Sequence, residues 1–140
     1  MKSVRQNNSD NWETPQLFYN KLNEKYNFDF DPCPINSEKD GLLMEWGNRN
    51  FINPPYSRKL KESFVHKALE QSIKGKTCVL LLPVSTSTKL FHDVILPNAK
   101  LIEFVRGRIG FIGINSNNKK TNGTEKPMHD SMIVVFEGRN

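Results

Sequence analysis

The chain has 140 residues, 36% hydrophobic and 25% charged, with a formal net charge of +5, which describes one soluble domain with a single modest core. No run approaches the length of a membrane span, the opening residues are polar rather than signal-like, and two cysteines, Cys33 and Cys78, suggest neither a zinc set nor a disulfide framework. A reducing cytoplasm is the expected compartment, and the positive charge favours a polyanionic partner without identifying one.

Met1 to Asn11 is polar and is expected to be loose. Thr14 as N-cap and Pro15 at the first helical position open a helix whose apolar residues are Leu17, Phe18, Leu22 and Tyr26. Phe28 and Phe30, alternating with Asp29 and Asp31, predict a short strand that stops at Pro32. Cys33 to Trp46 is irregular, with weak helical character near Leu42-Leu43-Met44. Phe51-Ile52 reads as a very short buried strand. Phe64, Val65, Ala68, Leu69 and Ile73 mark a helix from Leu60 to Lys74, ended by Gly75. Thr77 to Leu82 is nearly continuous in apolar character, as a central parallel strand covered on both faces would be. A helix from Ser87 to Ile95 follows, then strands at Leu101 to Val105, Gly110 to Ile112 and Met132 to Phe136. The order predicts an α/β fold in one domain, with a mostly parallel sheet and an antiparallel C-terminal edge. The stretch from Gly113 to Asp130 lacks periodicity. It is either a mobile loop that orders on a partner or a flexible insertion.

Asn53-Pro54-Pro55-Tyr56 lies between the short strand and the helix. The Asn carbonyl and a backbone carbonyl of the Pro-Pro unit can each accept one N–H of a planar amino group. The prolines fix φ and carry no N–H, so the acceptors are rigid and meet no competing donor. Tyr56 offers a flat ring for stacking. The target this clamp suits best is the exocyclic amine of an adenine turned out of a nucleic-acid stack. A plain proline-rich turn closed by a surface Tyr is the alternative.

The clamp looks like the catalytic motif of amino methyltransferases that use S-adenosyl-L-methionine. The whole chain more closely resembles the small phage and prophage DNA N-6-adenine methyltransferases, the phage Dam family. The resembling segments run in order: Trp12-Glu13-Thr14-Pro15, Phe28-Asp29-Phe30-Asp31-Pro32-Cys33, Asp40-Gly41-Leu42 leading to Trp46, the clamp, Leu80-Leu81-Leu82-Pro83, Arg106-Gly107-Arg108-Ile109-Gly110-Phe111 and Ser131 to Phe136. The resemblance implies an abbreviated Rossmann-like class I methyltransferase fold acting on the N6 amine of a flipped adenine in DNA. Asn53, Pro54, Pro55 and Tyr56 would be the catalytic set. The strands ending at Asp31 and Asn53 would be neighbours.

Cofactor candidates are Trp12, Thr14, Pro15, Asp31, Pro32, Cys33 and Asp40. Asp31, at a strand end, suits the cofactor's ammonium or a ribose hydroxyl, or else makes an Asx turn before Pro32. Thr14-Pro15 at a helix start suits the methionine carboxylate, with Trp12 packing on the cofactor. Otherwise Thr14 is a simple N-cap and Trp12 a hydrophobic staple. Two features depart from the wider methyltransferase pattern. No Gly-x-Gly loop follows Asp31, and only 22 positions separate Asp31 from Asn53, whereas a βαβ unit takes about 30 or more.

Arg106 and Arg108 by themselves suit a surface-solubilising role, but resemblance to the family's Gly-Arg segment implies DNA or structural contacts, and Lys119, Lys120 and Lys126 are expected to contact DNA. His66, His92 and His129 are widely separated and indicate no metal site. No strong base adjoins Asn53 in the sequence, so the released proton is expected to pass to water. The rival readings are an RNA or protein-amide amino methyltransferase and a catalytically silent DNA-binding decoy. The intact Asn53 and Tyr56 argue against the decoy.

Overall fold

The apolar run after Gly75 forms the hub strand of the computed structural model, which describes residues 13–34, 40–111 and 129–138. This strand, β2 (Thr77–Pro83), pairs in parallel with β1 (Arg49–Ile52) and antiparallel with β4 (Ser131–Glu137). β4 also pairs antiparallel with β3 (Leu101–Phe104), so the order is β1-β2-β4-β3. Phe30 adds one parallel bridge to Asn50 on the outer side of β1.

The sheet is therefore mixed rather than mostly parallel, and its antiparallel C-terminal strand is inserted between β2 and β3 instead of forming the edge. Burial explains the placement. Every residue of β4 except Glu137 is buried, whereas β3 is mostly exposed. The longer, buried strand takes the position paired on both sides, and the short, mostly exposed one takes the edge. Gly110-Phe111 does not form a strand. Ile109 and Phe111 instead bury their side chains against the sheet.

Side chains alternate cleanly across the sheet. Ile52, Leu80, Leu82 and Val134 face α2 (Arg58–Ile73), where they meet Phe64, Val65 and Ala68. Phe51, Val79, Leu81, Ile133 and Val135 face the other way, and Phe18, Tyr19, Leu22 and Tyr26 of α1 (Gln16–Tyr26) pack there. α2 starts two residues before its sequence-based boundary and ends at Gly75, whose φ of +98° is open to glycine at no steric cost. The expected helix at Ser87 to Ile95 is a widened π-type turn, Leu90–Ile95, running into α3 (Leu96–Asn98). Pro97 lacks the N–H that a regular α-helix would need there.

The described part of the stretch between Phe30 and Arg49 holds no α-helix. Within it, a 3-10 turn at Gly41–Leu43 is seated on Pro32, and a Cβ on Gly41 would lie 1.8 Å from the Pro32 carbonyl oxygen. Trp46 closes the path from below. Its indole Nε1 donates to the Gly41 carbonyl (2.8 Å), its backbone N–H donates to Gln71 Oε1 (3.2 Å), and its ring stacks on Phe64.

Candidate active site

Parallel pairing of the Phe30 segment with β1, and of β1 with β2, brings Asp31, Asn53 and Pro83 to the same end of the sheet. Open α/β sheets place ligands at this end. Asn53 is only 6% exposed there, and Pro54 and Pro55 are buried behind it.

Two segments distant in sequence hold Asn53. Its Nδ2 donates to Thr14 Oγ1 (3.0 Å), and the Cys33 thiol donates to its backbone carbonyl (3.4 Å). With the amide nitrogen donating to Thr14, Oδ1 is the accepting end of the amide. Thr14 is not the N-cap. That position falls to Pro15, and no side chain caps α1. The hydroxyl that would have capped the helix instead orients Asn53.

Beside Asn53 lies a cleft of about 260 Å³ lined by Glu13, Thr14, Gln16, Tyr19, Asp31, Cys33, Pro34, Phe51 and Asn53. It collects Thr14, Asp31 and Cys33 from the predicted cofactor set and Asn53 from the clamp. Asp31 Oδ1 accepts from the Cys33 N–H (2.9 Å), so the Asx turn is present, and the same carboxylate borders the cleft. Burial, and then the Asp31 charge, push the Tyr19 hydroxyl above its ordinary value. Phe51 and Tyr19 supply an aromatic wall, their rings meeting edge to face at 5.1 Å.

Other predicted residues fall elsewhere. Asp40 caps the 3-10 turn through the Leu42 N–H (2.9 Å) and is not among the cleft's lining residues. Pro32 is buried beneath Gly41, and Pro15 is the N-cap of α1 rather than its first helical residue. Arg106 is exposed beside Gly107, whose φ is +73°. Arg108 reaches Asp130 (3.4 Å), tying the turn after β3 to the segment that enters β4. Trp12, Lys119, Lys120 and Lys126 lie outside the described residues.

Tyr56 is half-buried between two perpendicular rings, Phe111 at 5.8 Å and His129 at 5.1 Å. Sequence reasoning weighed His129 only as a metal ligand and missed its place beside the clamp. Its 73-residue separation from Tyr56 leaves no spacing signal to find it by. Burial lowers the pKa of His129 below its ordinary value, and Lys61 and Arg108 push the same way against backbone contacts at Asp130 and at His129 itself.

The site is thus a buried amide with two buried prolines behind it and an aromatic ring after it, beside a carboxylate-bordered cleft. The model of the family described as DNA N-6-adenine-methyltransferase (Dam) matches residues 2–139. The chain belongs to this family. It is also similar to a DNA N-6-adenine-methyltransferase of Haemophilus phage HP1, 35% identical over 150 residues, covering 96% of this chain and 83% of that protein. No solved structure matches the chain significantly. Among the described residues, no helix is long and apolar enough to cross a membrane.

Proposed function

We propose that this Dam-family chain methylates the N6 amine of an adenine flipped out of DNA, in the cytoplasm, on an abbreviated Rossmann-like fold with S-adenosyl-L-methionine as methyl donor. The observation that carries the proposal is the Asn53 amide, buried at the strand end, held by Thr14 and opening on the cleft.

The cleft's residues fit such a donor. A carboxylate (Asp31) suits an ammonium or ribose hydroxyl, Gln16 and Thr14 add hydrogen-bonding groups, and Tyr19 and Phe51 give a flat apolar wall. When bound, the donor supplies a methyl group on a positively charged sulfonium. The protein's part is orientation and electrostatics. Adenine's amine is a poor nucleophile because its lone pair is delocalised into the ring. Asn53 Oδ1 and the Pro54 carbonyl accept its two N–H bonds, favour a pyramidal nitrogen and aim the lone pair at the cleft. The buried prolines keep both acceptors from relaxing away. Tyr56, fixed by Phe111 and His129, stacks on the base. Arg106, Arg108, Lys119, Lys120 and Lys126 contact the DNA backbone in this reading.

Incubation with tritiated S-adenosylmethionine and, in parallel, duplex DNA, RNA or protein tests the reading. Label recovered as N6-methyladenine from DNA is the expected result. Label in RNA or in protein amides, or none in any substrate, would replace it by one of the rival readings.

A further inference from the structure

We infer that His129 is a base-contacting residue, reading through Nδ1 a ring nitrogen that flanks the amine of the flipped adenine. The inference rests on the proposed DNA-adenine activity. It starts from a buried polar atom that has no hydrogen-bond partner, His129 Nδ1, on the ring that packs against Tyr56. Buried polar groups are nearly always satisfied, so an unpartnered ring nitrogen on the imidazole that packs against Tyr56 is a position that a polar ligand would complete.

The imidazole centre lies 5.1 Å from that of Tyr56 with the planes at 74°. A base stacked on Tyr56 at van der Waals distance, about 3.5–4 Å, brings its edge alongside the imidazole.

The chemistry matches. In adenine the N6 amine sits between N1 and N7, both acceptors. Asn53 and Pro54 answer the amine only. Flipping also strips N1 of its base-pairing donor, and an acceptor buried without a donor weakens binding by about 10-fold or more. A neutral imidazole with its proton on Nδ1 supplies one N–H without placing a charge against a neutral base. Burial and the nearby cations Lys61, on α2, and Arg108, on the turn after β3, favour that neutral form over the opposing backbone contacts at Asp130 and His129.

The test uses duplexes in which the methylated adenine, once mapped, is replaced by 1-deazaadenine or 7-deazaadenine. His129→Phe keeps a ring beside Tyr56 but removes the donor, and His129→Gln keeps a donor. Wild-type kcat/KM should fall about 10-fold or more on one of the two analogues, which names the nitrogen read. His129→Phe should lose a similar factor on adenine, no longer distinguish that analogue, and melt close to the wild-type temperature. His129→Gln should recover part of the discrimination. If wild type methylates DNA but treats both analogues like adenine, or if His129→Phe discriminates as wild type does, the inference is overturned while the activity stands. If wild type leaves DNA unmethylated, both fall.

Discussion

The two long helices cover opposite faces of one sheet and differ sharply in how they do it. α2 buries Phe64, Val65, Ala68, Gln71 and Ser72, and Gln71 Oε1 is bonded both to the Trp46 N–H and to Lys76 Nζ (2.5 Å). α1 has no fully buried residue, and Leu17 is 79% exposed. Yet the segment leading into α1 carries Thr14, and α1 itself lends Gln16 and Tyr19 to the cleft. The Asn53 to Tyr56 loop runs directly into the well-packed helix, so its acceptors inherit a rigid support. The cleft is roofed by the loosely packed helix, where local opening costs less. Rigidity is concentrated on the side that must hold an acceptor still, and adaptability on the side that must admit a ligand.

The sharpest way to break this contrast is at Phe64, which is completely buried. Phe64→Ala should cost about 3–5 kcal/mol of stability, read by denaturant unfolding. A loss below about 1 kcal/mol would show that α2 is not the packed face that supports the loop. Next in size, Thr14→Val removes the hydroxyl that holds the Asn53 amide. It should lower methyl transfer by roughly 10-fold while costing about 1 kcal/mol of stability or less. Unchanged turnover would mean that Asn53 is oriented without Thr14.

Much of this architecture could be read from residue patterns. The run at Thr77 to Leu82 announced a central strand, Gly75 a helix end, and the Asn-Pro-Pro-Tyr segment the end of a short buried strand. Each is a local signal in which neighbours along the chain carry the information. The failures are non-local. Met132 to Phe136 is equally apolar whether its strand runs parallel or antiparallel, so its insertion between β2 and β3 was invisible. Thr14 in front of Pro15 has the local pattern of a helix cap, but a partner 39 residues away takes its hydroxyl. His129 carries no local signature and becomes informative only when Tyr56 lies against it. Asp40 caps the 3-10 turn and Pro32 seats it, roles that depend on how the chain between Phe30 and Arg49 folds back and have no local signature.

A smaller effect concerns pH. The folded pKa of His129 lies below the ordinary 6.5, so below that value the unfolded chain takes up the proton first. The stability due to the neutral ring is complete above about pH 6.5 and is lost as pH falls through the lower folded value. Melting curves between pH 7 and pH 5 should therefore slope less steeply for His129→Phe than for wild type. Equal slopes would place His129 in a more solvated setting than the one beside Tyr56. Smallest of all, Leu17→Ala on α1 should change stability by no more than about 0.5 kcal/mol, and a larger loss would mean that α1 is packed as firmly as α2.

The most direct test of the central claim is methyl transfer to DNA by Asn53→Ala, measured alongside the melting shift produced by S-adenosylmethionine. The account assigns Asn53 to the amine, so transfer should drop about 100-fold or more while the cofactor-induced shift is largely retained. Turnover near the wild-type rate would contradict it.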